Sequence, residues 1–81
     1  MLAPRRSLPL QSELAAAHNS LAIALERLER PREAIEQYRE AARLTPTNVL
    51  VRANLATTLA GQGDFDEAIG QFEEASRLRP D

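Results

Sequence analysis

Residues 15–47, AAAHNSLAIALERLERPREAIEQYREAARLTPT, and residues 49–81, VLVRANLATTLAGQGDFDEAIGQFEEASRLRPD, are one passage written twice. A shift of 34 positions aligns them without a gap and gives twelve identities. Leu21 pairs with Leu55, Ala22 with Ala56, Leu25 with Leu59, Glu33 with Glu67, Ala34 with Ala68 and Ile35 with Ile69. Gln37 pairs with Gln71, Glu40 with Glu74, Ala41 with Ala75, Arg43 with Arg77, Leu44 with Leu78 and Pro46 with Pro80. A fixed period in this range marks a solenoid, in which each unit buries its apolar face against its neighbour. The chain therefore divides into an N-terminal extension over 1–14, a first unit over 15–48 and a second over 49–81.

Inside each unit the apolar period is helical. Ala17, Leu21, Ala24, Leu25 and Leu28 recur at three- and four-residue steps and predict a core stripe on a helix from about Ser12 to Leu28. A second stripe runs through Ala34, Ile35, Tyr38, Ala41, Ala42 and Leu44. Pro31 lies between them, in the first turn of the second helix, where its missing donor is no loss. In the second unit Gly61 and Gly63 end a helix that starts near Asn48, and Asp64 is placed to cap the next. Its core stripe reads Val51, Leu55, Ala56, Leu59, Phe65, Ala68, Ile69, Phe72, Ala75 and Leu78. Thr45-Pro46-Thr47-Asn48 joins the units, with Thr47 or Asn48 as a cap. Nothing alternates over enough residues to read as a strand. The expected class is all-α, an α-α superhelix of two helical hairpins.

Composition narrows the function. A chain of 81 residues makes one small domain, which buries only about 60% of the surface its unfolded form exposes. With 43% hydrophobic and 27% charged residues it reads as an ordinary globular chain. Cysteine is absent, which excludes disulfides and thiolate metal sites. A net charge of −2 and a pI near 5.4 lack the basic footprint of a nucleic-acid binder. Pro9, Gln11, Ser12 and Glu13 interrupt any signal core after Arg5-Arg6, and no run approaches the ~20 apolar residues of a membrane span. A cytoplasmic location is expected. All ten basic residues are arginine, a bias that points to a GC-rich bacterial genome.

The residues at fixed places in the two units carry a family resemblance. His18, Leu21-Ala22, Leu25, Ala34, Tyr38 and Pro46, repeated as Arg52, Leu55-Ala56, Leu59, Ala68, Phe72 and Pro80, resemble the tetratricopeptide pattern. Ala41 and Ala75 match its third small position, and Gly63, Asp64 and Phe65 its inter-helix turn. The likeness covers residues 15 to 81. Four departures stand out. Tryptophan is absent, His18 and Arg52 hold the large-residue position, alanine replaces glycine at the helix crossing, and Pro31 stands where Phe65 is aromatic. Alanine is small enough to keep the crossing close, so the geometry is expected to differ most in the first hairpin's turn.

The resemblance implies a right-handed solenoid segment whose first helices line a concave groove for a protein or peptide. Carried over, that groove comprises Ala16, Asn19, Ser20, Ile23 and Arg27 from one unit and Leu50, Ala53, Asn54 and Thr57 from the next. Asn54 is the main candidate for a specific contact, because an amide both donates and accepts; the alternative is a solvated polar residue or a bond within the hairpin. A branch of the family grips a C-terminal carboxylate with basic and amide side chains. Here only Asn19 and Asn54 match it, with Ile23 in place of an asparagine and no basic residue at Ala16 or Leu50, so a carboxylate clamp is not expected. The outer helices carry Arg32, Glu36, Arg39, Glu40, Arg43, Glu67, Glu73, Glu74 and Arg77. Arg32 with Glu36 and Glu73 with Arg77 are expected one-turn pairs on a solvated face.

The chain stops at Pro80-Asp81 on a repeat boundary, whereas solenoids commonly finish with a polar capping helix. Ile69, Phe72 and Leu78 are therefore expected to leave apolar area for self-association, giving a homo-oligomer. Leu8, Leu10 and Leu14 extend the first helix or fold back as a cap. A piece of a longer repeat array attached to another domain, enzymatic or not, is the alternative. Catalytic groups are sparse: one histidine and three aspartates. His18 and Ser20 point in different directions on a helix, and Gly61-Gln62-Gly63 is no phosphate loop. The sequence thus predicts a non-enzymatic interaction module with no metal, cofactor, nucleic acid or membrane.

Overall fold

The computed structural model describes residues 7–79. Helix α1 spans Ser7–Arg27, α2 Pro31–Leu44, α3 Val49–Gly61 and α4 Phe65–Leu78. No strand occurs among the described residues, as the all-α reading requires. Arg5-Arg6 and Pro80-Asp81 lie outside them. Helix α1 starts at Ser7, earlier than the expected Ser12, so that Leu8, Leu10 and Leu14 belong to the helix rather than to a folded-back cap. Pro9 does not prevent this, because the first-turn N–H groups of a helix have no intrahelical acceptor to lose.

The caps follow the sequence in part. Asn48 is the N-cap of α3, and its side chain accepts from the Val51 amide at 3.2 Å. Asp64 occupies the N-cap position of α4 but makes no side-chain cap. Its carboxylate instead accepts from Arg32 Nη1 at 2.8 Å. An ionic donor within reach across the hairpins has displaced the backbone one. Pro31 is at the start of α2, as expected.

The two hairpin turns have the same geometry, contrary to the sequence expectation. After α1 the Arg30 amide donates to the Leu25 carbonyl at 2.8 Å and the Glu29 amide to Glu26 at 2.9 Å. After α3 the Asp64 amide donates to Leu59 at 2.9 Å and the Gly63 amide to Ala60 at 3.0 Å. Both are Schellman closures, which require a left-handed residue just past the helix end. Gly63 supplies it at φ 86°, and Glu29, one repeat earlier, is forced to φ 61°. A side chain there carries a steric cost that glycine avoids. Glu29→Gly is therefore expected to stabilise the chain by about 1 kcal/mol in urea titration; no change would mean that the turn is relaxed as it stands.

Helix α1 packs on α2, α3 on α4, and α2 on α3. One core gathers Ala22, Leu25, Ala34, Ile35, Tyr38, Leu55, Leu59 and Ala68 from both hairpins. A smaller one holds Ala15, Ala41, Ala42 and Val51 under Leu44. Ala22 and Ala56 are fully buried at the helix crossings, so alanine does preserve the close approach.

Of the five residues expected in the α1 core stripe, Leu25 alone is buried. Ala17, Leu21, Ala24 and Leu28 are exposed, and the buried residues are Ala15, Ala22 and Leu25. Phe65, Ile69 and Phe72 are likewise exposed rather than core. Helix α1 has apolar residues on two sides, and among the described residues no hairpin precedes it to cover the second.

The expected one-turn ion pairs do not form either. Arg32 reaches Asp64, Arg77 pairs with Glu74, and Arg39 bridges the hairpins to Glu67 at 2.6 Å. Arg30 pairs with Glu33 at 2.8 Å and Arg43 with Glu40. All are largely solvated and individually weak. Hydrogen bonding to Arg43 holds the Glu40 carboxyl below its ordinary range, and Arg77 does the same for Glu74.

Candidate protein-binding surfaces

Part of the predicted groove comes together. Asn19, Ser20, Ala16 and Leu50 line one depression of about 270 Å³ together with Asn48 and Val51. No charged side chain lines it. Asn54 is half-buried beside it and donates through Nδ2 to Asn19 Oδ1 at 3.3 Å. That amide is thus engaged between the hairpins rather than within one.

The remaining groove candidates lie apart from this depression. Ile23 is half-buried and packs on the main core. Arg27 is exposed and lines neither depression described here. Thr57 is exposed, its hydroxyl donating to the Ala53 carbonyl at 2.9 Å. It borders a second depression of about 420 Å³ with Glu26, Pro31, Thr58 and Gln62.

The large-residue position is a polar clasp in both units. His18 Nδ1 donates to Gln37 Oε1 at 2.6 Å, and Arg52 Nη1 to Gln71 Oε1 at 2.9 Å. Each ties the first helix of a hairpin to the second, where bulk alone would otherwise hold them. His18 is thereby a structural residue. No group of three or more His, Cys, Asp or Glu among the described residues is placed to hold a metal ion, and no described helix is long and apolar enough to cross a membrane.

Sequence reasoning missed the buried polar cluster at the junction of the hairpins. The Tyr38 hydroxyl donates to Glu26 Oε1 at 2.9 Å, and the Thr58 hydroxyl bonds the other carboxylate oxygen. Thr58 Oγ1 also lies 2.9 Å from the Asn54 carbonyl, and its one proton serves one acceptor at a time. Burial, and then the hydrogen bond to Glu26, pushes the Tyr38 hydroxyl well above the ordinary tyrosine range. A signal was available: Glu26 aligns with Ala60, so one unit places a carboxylate where the other has a methyl group.

Because the two units share a sequence, each covered residue has an uncovered twin. Leu55 is 2% exposed and Leu21 is 47% exposed; Ile35 is 3% and Ile69 53%; Tyr38 is 1% and Phe72 45%. The difference between the twins is whether another hairpin lies against them. Leu10, Leu14, Leu21 and Leu28 leave α1 with an apolar outer face, and Phe65, Ile69 and Phe72 do the same for α4. Leu78 is half-buried and adds a smaller area.

These features define a solenoid of stacked helical hairpins with one apolar face open at each end. The family model of the tetratricopeptide repeat matches residues 25–81, and the chain belongs to that family. It is 42% identical over 57 residues to a BBSome complex member, BBS4, of Xenopus tropicalis, covering 70% of this chain and 11% of that protein. To BBS4 of Bos taurus it is 36% identical over 67 residues, covering 83% of this chain and 13% of the relative. The chain thus spans about one-eighth of the length of these relatives. Both relatives are from vertebrates.

Proposed function

We propose that this chain is a non-enzymatic protein-interaction module. It receives a peptide segment in the depression lined by Asn19, Ser20 and Leu50, and it associates with other proteins through the open apolar faces of its hairpins. The observation that carries this is the contrast between twins: Ile69 and Phe72 are exposed where Ile35 and Tyr38 are covered. Apolar area of this kind favours association by about 25 cal/mol per Å² removed from water. Ile69, Phe72 and Leu78 form the self-association face. The relatives are named as members of a complex, which supports a scaffolding role. That the match covers only 11% and 13% of their length favours a second reading, in which this chain is a piece of a longer repeat array attached to another domain.

The groove is tested with a displayed library of random peptides. Selected peptides are expected to bind at least about tenfold more weakly to Leu50→Glu, since the substitution places a charge in an apolar contact. Asn54→Ala is expected to weaken them less, because that amide is already shared with Asn19. Failure to select any peptide, or selected peptides indifferent to both substitutions, would remove the groove from the proposal.

A further inference from the structure

We infer that the two open faces fit each other, so that α1 of a second copy docks on α4 of the first and continues the internal stacking between molecules. This rests on the self-association reading and names its partner and polarity. The junction between the two hairpins is the template. There Ile35 and Tyr38 pack in one core with Leu55 and Leu59. Advancing every member by one repeat places Ile69 and Phe72 of one copy against Leu21 and Leu25 of the next.

The polar groups of the template change in concert. Glu26, Tyr38 and Thr58 bond one another inside the junction. Their counterparts one repeat on are Ala60 and Phe72 of the first copy and Ala24 of the second. All three lose their polar atoms together. Had any one kept its partner-seeking group, a second copy would bury it unsatisfied, at a cost set against the apolar contacts around it. A junction of α4 of one copy with α1 of another is therefore consistent as a dry one. The amide pair loses one of its two polar groups, since Asn19 and Asn54 become Ala53 of the first copy and Ser20 of the second, whose hydroxyl can bond a carbonyl of its own helix.

Charges at the rim also correspond. The Arg32 to Asp64 pair becomes Asp66 facing Arg30 of the second copy, with the signs exchanged and the attraction kept. The Arg39 to Glu67 pair becomes Glu73 facing Glu33, which is repulsive in itself. Arg30 bonds Glu33 at 2.8 Å and so stands between both acidic groups of the first copy and its own neighbour. Stacking of this kind is heterologous: every added copy leaves the same two faces free, and growth is open-ended unless the ring closes.

End-blocked variants test the polarity. Leu21→Glu closes the α1 face and Phe72→Glu the α4 face; both side chains are exposed in the isolated chain, so the monomer is expected to keep its helicity. Sedimentation over a concentration series reads the mass. The wild-type chain is expected to grow beyond a dimer, and each variant alone to stay at 9.0 kDa. An equimolar mixture of the two is expected to form a dimer and stop there, through Phe72 of the Leu21→Glu chain and Leu21 of the Phe72→Glu chain. Ala24→Glu and Ile69→Glu, on the same faces, replace either variant that loses helicity. Dimerisation of one variant with itself would show like faces pairing, α1 on α1 or α4 on α4, and overturn the head-to-tail arrangement alone. A mixture that stays monomeric while the wild type associates would also overturn it. A wild-type chain that stays monomeric throughout would overturn the self-association reading as well.

Discussion

Leu55→Ala is expected to cost roughly 3–5 kcal/mol of folding stability, and Leu21→Ala, the same substitution at the same place in the repeat, less than about 1 kcal/mol. Leu55 sits in the main core with Ile35, Tyr38 and Leu59, where a lost side chain leaves a cavity that its neighbours fill only in part. Leu21 stands on the outer face of α1, where water takes the vacated space. At 81 residues the whole fold is worth on the order of 4–12 kcal/mol, by scaling at ~0.05–0.15 kcal/mol per residue. Leu55→Ala thus removes a large share of it and is expected to lower the melting temperature by more than ~15 °C. Thermal unfolding followed by circular dichroism, at a concentration low enough to keep Leu21 free of other copies, measures both. Equal losses would mean that the two hairpins bury this position alike and that neither face is open.

That asymmetry marks the boundary of what the residues alone reveal. The fold was legible because two signals agree: a 34-residue period that only repetition explains, and helical stripes punctuated by Pro31, Asn48, Gly61 and Gly63. The stripe on α1 was misassigned because periodicity reports amphipathicity and not which neighbour supplies the cover. Ala15, Ala22 and Leu25 face the partner helix while Leu14, Leu21 and Leu28 face outward, and both sets keep helical spacing. Place in the stack decides between them. Glu29 was missed for the opposite reason: the turn imposes a left-handed backbone on a residue whose type gives no hint of it. Of the groove candidates, Asn19, Ser20 and Leu50 line one depression, whereas Ile23, one turn along α1 from Asn19, packs against the core; the resemblance names a helix face, and burial decides which of its residues stay open.

The polar cluster at Glu26 was hidden because its contacts span 12 and 32 residues, and a glutamate in a charged helix reads as solvated. Its energetics give the second large expected effect. Glu26→Ala alone strands the Tyr38 hydroxyl, which is buried, with no acceptor among its former partners except Thr58, itself a hydroxyl bonded to Asn54. Leaving a buried donor unsatisfied costs about 1–3 kcal/mol beyond the lost packing. The triple variant Glu26→Ala, Tyr38→Phe, Thr58→Ala removes donors and acceptor together and reproduces at this junction the residue types of the outer faces, Ala60, Phe72 and Ala24. The space vacated by the glutamate is the same in both variants, so what separates them is the polar term together with the methyl group that Thr58→Ala removes. The triple variant is therefore expected to be more stable than Glu26→Ala alone, by roughly 1–2 kcal/mol in urea titration. Strict additivity of the three single substitutions would mean that each group finds water when its partner is lost. In that case the junction would be wet, and a dry counterpart between copies would lose its main support.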